Sequence, residues 1–346
     1  MSIRPKKILL WVLYVVFYVV SLVVFALLTF PFDTLRDRAM VAFADDQRKT
    51  GGDSRLEIDK LSSYWILGVE AEGVRMISPP PANGKGGKAA KGDTTDVEFD
   101  RVTARVALLP LLIGRVSISF SAEMLGGKIK GTTRKSGEDR LISLDVSDLE
   151  VGRLRALVDV IGLPLSGTLG GTVSLTLPDD KIGKSGGSIH LVLESLAVGD
   201  GKAEFRDSIV LPRVDIGDLE LECEIEEGKL SITKFGAEGG DLDFFAEGKI
   251  TLRDKMATSM ADLMLRFKFS DKYKNKNEKT QLLFGSSDSK APPLLEMDPK
   301  VKQSKRPDGF YGWRASGLLA SMRFDPAPSD GPAQKPPRGG ARGGAR

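Results

Sequence analysis

Along most of the chain, apolar residues recur at every second position. Val102, Ala104, Val106 and Leu108 alternate with polar residues, and so do Val116, Ile118, Phe120 and Ala122, with Pro110 and Gly114 between the two runs. Successive side chains of a strand point to opposite faces, so each run predicts a strand with one apolar and one polar face. Earlier, Leu56 and Ile58 alternate with charges, and Trp65, Leu67, Val69 and Ala71 follow the same period. Ile142, Leu144 and Val146 close the first half. The second half continues with Leu169, Gly171, Val173, Leu175 and Leu177, then Ile189, Leu191 and Leu193, then Leu219, Leu221, Cys223 and Ile225. Leu230 and Ile232, then Leu242, Phe244 and Ala246, and finally Leu263, Leu265, Phe267 and Phe269 complete the series. Turn residues separate the runs at roughly the 8–12-residue spacing of hairpin-connected sheets. The predicted class is mainly β with short helices: an antiparallel, twisted or curved sheet. Its strands are apolar on one face only, so that face covers something, whether a second sheet as in a sandwich, a helix, or a bound lipid in a groove.

The pattern breaks in a few places. Residues 8–30 read ILLWVLYVVFYVVSLVVFALLTF, without a charge. At about 1.5 Å per residue this run exceeds the roughly 30 Å hydrocarbon core of a bilayer. Arg4, Lys6 and Lys7 precede it, which predicts a cytoplasmic tail at 1–7, a transmembrane helix at 8–30 and the bulk of the chain on the far side. A cleavable signal peptide has a shorter apolar region, followed by a small-residue cleavage site, and Leu27-Leu28-Thr29-Phe30 does not match one. Leu35, Ala39, Ala42 and Phe43 then share one face of a short amphipathic helix after Pro31. Leu154, Leu157, Val158 and Ile161 have helical spacing, stopped by Gly162 and Pro164. Residues 79–96 (PPPANGKGGKAAKGDTTD) predict a flexible loop within a domain spanning 31–325, and the Pro/Gly/Arg tail at 326–346 predicts disorder. From Ser270 the chain is polar and without a long period, until Gly309–Gly317 and Leu318–Phe324 supply a final short element.

Charge changes this picture little. Fifty Lys and Arg against 47 Asp and Glu leave +3, which gives no general attraction to nucleic acid. The chain has one cysteine, Cys223, and one histidine, His190. No intramolecular disulfide can form, and an ordinary zinc site lacks ligands. Gly183-Lys184-Ser185 has the ending of a phosphate loop, but Pro178 stands where that motif needs its first glycine. Gly167-Thr168-Leu169-Gly170-Gly171 lies inside a strand pattern rather than between a strand and a helix, so it is not a dinucleotide loop. His190 falls on the polar face of its strand with no nucleophile elbow anywhere in the chain. Cys223 points with Leu221 and Ile225 as a small buried hydrophobe. Glu220, Glu222, Glu224 and Glu226 alternate as the solvated face of one strand rather than as paired acid–base or calcium carboxylates. The repeat carrying Arg338, Arg342 and Arg346 resembles RNA-binding RGG segments, but beyond a membrane it would meet anionic phospholipid, lipopolysaccharide or cell wall, and plain disorder is the favoured reading. No catalytic, cofactor-binding or metal-binding residue is assigned, and a non-enzymatic protein without a cofactor is expected.

The order of features resembles that of type II secretion system protein N and, more distantly, AsmA-type envelope proteins. The likeness is carried by Phe30-Pro31-Phe32-Asp33, by Trp65-Ile66-Leu67-Gly68-Val69 leading to Gly73-Val74, and by Leu144-Asp145-Val146-Ser147-Asp148-Leu149. Gly162-Leu163-Pro164-Leu165-Ser166-Gly167-Thr168-Leu169-Gly170-Gly171 is its strongest piece. Leu230-Ser231-Ile232-Thr233-Lys234-Phe235, Gly239-Gly240-Asp241, Gly248-Lys249-Ile250 and the GFYGWRASG segment complete it. The 79–96 loop and the Arg/Gly tail depart from that pattern. The resemblance implies a single-pass inner-membrane protein with its bulk in the periplasm, partnered by other type II secretion subunits in the export of folded proteins across the outer membrane. It carries no catalytic residues. The AsmA likeness implies the alternative, a lipid-binding or lipid-transfer protein of the cell envelope.

Overall fold

The computed structural model describes residues 29–50, 53–65, 67–78, 95–107, 115–154, 163–201, 212–285 and 293–327, with isolated positions at 110, 158, 204–205, 209–210 and between 11 and 25. Among the described residues no helix is long and apolar enough to cross a membrane. Many positions of the predicted span at 8–30 lie outside the described residues, and those described between 11 and 29 are helical. Most of the predicted loop at 79–96, most of the predicted helix at 154–161 and nearly all of the tail at 326–346 also lie outside them.

The chain is mainly β. After α1 (Phe32–Thr50) come β1 (Arg55–Ser63), β2 (Gly68–Ser78), β3 (Thr95–Val106), β4 (Ser117–Met124), β5 (Gly127–Ser136), β6 (Asp139–Glu150), β7 (Leu165–Pro178) and β8 (Gly186–Val198). A two-stranded hairpin of β9 (Glu204–Phe205) and β10 (Ile209–Val210) stands apart. The main sheet resumes with β11 (Val214–Glu226), β12 (Lys229–Ala237), β13 (Leu242–Thr251), β14 (Met260–Phe269), β15 (Tyr311–Leu318) and β16 (Arg323–Pro326). All but β9 and β10 form one 14-stranded sheet, with every strand antiparallel to its neighbours and in chain order. The sheet is open, with β1 and β16 at its edges. Between β14 and β15, the described residues form three short helices, α2 (Asp271–Lys274), α3 (Glu278–Phe284) and α4 (Pro299–Ser304).

The register turns the alternation of the sequence into two continuous faces. One cross-strand row runs Val69, Ala104, Phe120, Gly131, Leu144, Val173, Ile189, Cys223, Ile232, Gly248, Leu263, Ala315, Phe324 without a charge. One residue along the strands, on the opposite face, a second row runs Ser62, Glu70, Thr103, Ser121, Lys130, Asp145, Thr172, His190, Glu222, Lys234. A slip of one residue would exchange the two faces, so the patterning fixes the register.

The two long rims of the sheet differ. At one, where β6, β8, β12 and β14 end, Val151, Leu196, Val214, Ile216, Leu219, Ala237 and Tyr273 make the buried core. Here α2 and α3 cap the strand ends. Ser270 accepts from the Tyr273 N–H to start α2, and Asn277 with Thr280 forms a capping box for α3. At the other rim short turns make the β1–β2, β5–β6, β11–β12 and β15–β16 connections, and longer segments join β3–β4, β7–β8 and β13–β14.

Several expectations need correction. Trp65 and Leu67 were expected on a strand face, yet β2 starts at Gly68 and Trp65 sits in the turn at φ 56°. The alternation misleads there because Tyr64 N–H bonds back to the Gly68 carbonyl, closing a turn across those positions. In α1, Ala39 and Ala42 face solvent; Phe32, Leu35, Arg36, Met40, Phe43, Ala44 and Gln47 are the partly buried positions among those described. Residues 95 and 96, expected in the loop, begin β3, and Pro326, expected in the tail, ends β16. β5 was not anticipated. GKIKGTTRKS has Ile129 as its single large apolar residue, and its neighbours β4 and β6 hold it in the sheet through backbone pairing.

Candidate functional site: the uncovered apolar face

The chemistry-bearing residues lie on the polar face and engage one another. His190 Nε2 is 3.2 Å from Glu220 Oε1 and 3.9 Å from Glu222 Oε1. Lys234 from β12 donates to the other oxygen of Glu220. The hydrogen bond from Lys234, and after it that from His190, holds the Glu220 carboxyl below the usual range despite partial burial. His190, Glu220 and Glu222 bring three potential ligand atoms within 4.8 Å of one another. The cluster is open to solvent, and the Lys234 ammonium already neutralises Glu220, so the arrangement is that of a cross-strand ion ladder. Similar ladders recur along the face: Arg101 with Glu70 at 2.9 Å, Lys128 with Glu123 at 2.9 Å, and Arg314 bidentate to Asp262 at 2.8 Å.

The other sequence candidates lie where the patterning put them. Cys223 is buried on the apolar face, and burial pushes its thiol up to about 11. Gly167–Gly171 are strand residues of β7, with no helix following. Gly183 and Lys184 form a single 3-10 turn beside β8. The Gly183 N–H donates 3.1 Å to Asp254 Oδ1 and Lys184 pairs with Asp179 at 3.0 Å. A carboxylate therefore occupies the donor that a phosphate would need.

The apolar face is different in kind. Leu144, Val173, Ile189 and Leu191 sit mid-strand with neighbours on both sides in the sheet, yet each is only half-buried. Leu221 and Ile232 are the same, while Cys223 and Ile225 of β11 are 4% exposed, marking the most enclosed strand. Apart from the β9–β10 hairpin, no second sheet exists among the described residues, and the helices α2 and α3 pack at one rim only. In this row Gly131 makes room for an aromatic neighbour. A Cβ on Gly131 would fall 2.2 Å from the ring of Phe120, so Phe120 lies down across β5 rather than standing away from the sheet. Sequence reasoning reached these residues strand by strand. It could not show that they join into one surface, because register across fourteen strands is a property of the sheet.

The fold and this face together define a class: a mainly-β chain built on one open antiparallel sheet, apolar on one side and ion-laddered on the other. In comparisons with known proteins, no family model, no curated protein and no solved structure matches the chain.

Proposed function

We propose that this is a membrane-anchored envelope protein whose sheet holds acyl chains of lipid against its apolar face. The observation carrying this reading is the unbroken apolar row from Val69 to Phe324, partly exposed, with no second layer over it among the described residues. A soluble monomer rarely exposes a contiguous apolar surface of more than a few hundred Å², and one extended across consecutive strands suits a long aliphatic ligand. Binding needs no catalytic group, in keeping with the ion-ladder character of the polar face. The N-terminal apolar run supplies the anchor, with the sheet on the periplasmic side of a bacterial inner membrane and residues 1–7 in the cytoplasm.

The test is lipid analysis of the full-length chain extracted in mild detergent. We expect phospholipid to co-purify with the protein and to be lost from a Leu191→Glu variant that keeps its circular dichroism. Equal background lipid in both chains would overturn the reading.

The second reading is a structural component of the type II secretion system. It is favoured by the position of the resembling segments, which fall in β6, β7, β12, β13 and β15, and by the short edge strand β16 with its exposed Phe324, an open place for an added strand. Recovery of secretion subunits by in-cell crosslinking, with only background lipid, would favour it.

A further inference from the structure

Among the described residues, the exposed large apolar side chains outside the N-terminal run include Val41 on α1, Leu282 on α3 and Leu294 and Met297 before α4, but more of them lie along the turn-joined rim. Trp65 and Leu67 lie in the β1–β2 turn, Val116 directly precedes β4, Met256 and Met260 lie at the β13–β14 connection, and Leu318 ends β15. Every one of these places is on the turn-joined rim, opposite the core with its helix cap. Trp65 is 74% exposed and Met256 50%. A bulky residue in the left-handed region costs roughly 1–2 kcal/mol, so Trp65 at φ 56° is held outward against its own backbone preference. Cations adjoin this series: Arg115 precedes Val116, Arg253 and Lys255 precede Met256, and Arg323 follows the turn after Leu318. Acidic residues occur on this rim too: Asp179 pairs with Lys184, Asp180 pairs with Arg140, and Asp254 stands between Arg253 and Lys255 and accepts from the Gly183 N–H. The exposed apolar groups of this series lie toward the two ends of the sheet, at β1–β4 and at β13–β15.

The same rim receives the N-terminal run. Four residues, 51–54, link α1 to β1, so the C-terminus of α1 lies at the start of β1, on the helix-capped rim. α1 packs along β1, and Arg36 near its N-terminus donates 3.2 Å to the Asp59 carbonyl in mid-strand. Nineteen helical residues span about 28 Å, close to the roughly 30 Å of a nine-residue strand. Phe32, and the apolar run that ends beside it, accordingly meet the turn-joined rim.

We infer that the turn-joined rim rests on the bilayer that holds the N-terminal run, with Trp65, Leu67, Val116, Met256, Met260 and Leu318 in the interfacial layer and the neighbouring Arg and Lys at anionic headgroups. Trp at the interface and cations beside buried apolar groups are the expected chemistry of such a contact. This inference rests on the anchored reading and adds an orientation to it: the rim lies along the membrane, and the mouth between sheet and bilayer is where an acyl chain passes from lipid to the apolar face.

The experiment uses the full chain, with Cys223→Ala, in vesicles of phosphatidylethanolamine and phosphatidylglycerol. Nitroxides at Val116→Cys, Met256→Cys and Leu318→Cys report the rim, those at Glu238→Cys and Lys272→Cys the opposite side, and one at Leu22→Cys the anchor. We expect lipid-soluble oxygen to relax the rim labels more than a water-soluble nickel chelate does, with the reverse at positions 238 and 272. Rim labels as aqueous as those two, with Leu22→Cys in lipid, overturn the rim contact and leave the anchor standing. An aqueous Leu22→Cys label together with aqueous rim labels removes both.

Discussion

The hydroxyl of Tyr273 donates a 2.8 Å hydrogen bond to the carbonyl of Pro212, tying α2 to the segment that leads into β11. The ring is fully buried and stacks on Phe269 at 5.5 Å, with Phe284 of α3 edge-on at 6.1 Å. Burial, and after it the nearby Asp241 charge, pushes the phenol up to about 12, so it stays a donor throughout the accessible pH range. Tyr273→Phe leaves the Pro212 carbonyl without this partner and is expected to cost about 1–3 kcal/mol, while Tyr273→Ala opens a cavity and costs roughly 3–5 kcal/mol. Urea unfolding followed by circular dichroism measures both; an unchanged midpoint for Tyr273→Phe would contradict the account of this rim.

Cys223 tests the enclosure of β11. Its thiol is 4% exposed and desolvation raises it to about 11, so little thiolate exists at pH 8 and no reagent reaches it. Reaction with Ellman's reagent is expected only as denaturant unfolds the sheet, with the rate following the unfolding transition. Prompt reaction in the native protein would mean that β11 is open to solvent.

Acid should weaken the ladder across β8, β11 and β12. The folded Glu220 carboxyl titrates below its ordinary 4.5 because Lys234, and then His190, hydrogen-bond to its charged form. A lowered folded value means that the stabilisation is full above about pH 4.5 and is lost as pH falls through the folded value. The side chain is 31% exposed, so solvent screens the pair and the effect is small. Glu220→Gln is expected to lower stability at pH 7 and to flatten its pH dependence below 4.5, read as denaturation midpoints from pH 7 to pH 3. Parallel curves for the two chains would show that this ion pair contributes nothing.

The sequence made much of this visible, and the limits have physical causes. Alternation found most long strands because one face of each is apolar, and it put His190 and the glutamates of β11 on the polar side. It failed at Trp65, where a closed turn happens to carry apolar residues two apart. It also failed at β5, whose pairing rests on backbone hydrogen bonds between two well-patterned neighbours. The short helices after Ser270 were hidden in a polar stretch, although Ser270 and the Asn277–Thr280 pair are capping signals that could have revealed them. Whether the apolar faces would be covered by a second sheet or left open depends on how the strands are arranged in space, which alternation does not encode.

The central claim is that lipid lies on one face of the sheet and not on the other. Leu144 and Ser143 are adjacent in β6 and point to opposite faces, the first in the apolar row and the second among the polar residues. A photoreactive benzoylphenylalanine at each position in turn, irradiated in cells grown on labelled fatty acid, compares the faces within one strand. The account predicts lipid adducts from position 144 and none above background from position 143. Equal labelling at the two positions, or adducts from 144 to protein alone, would contradict it.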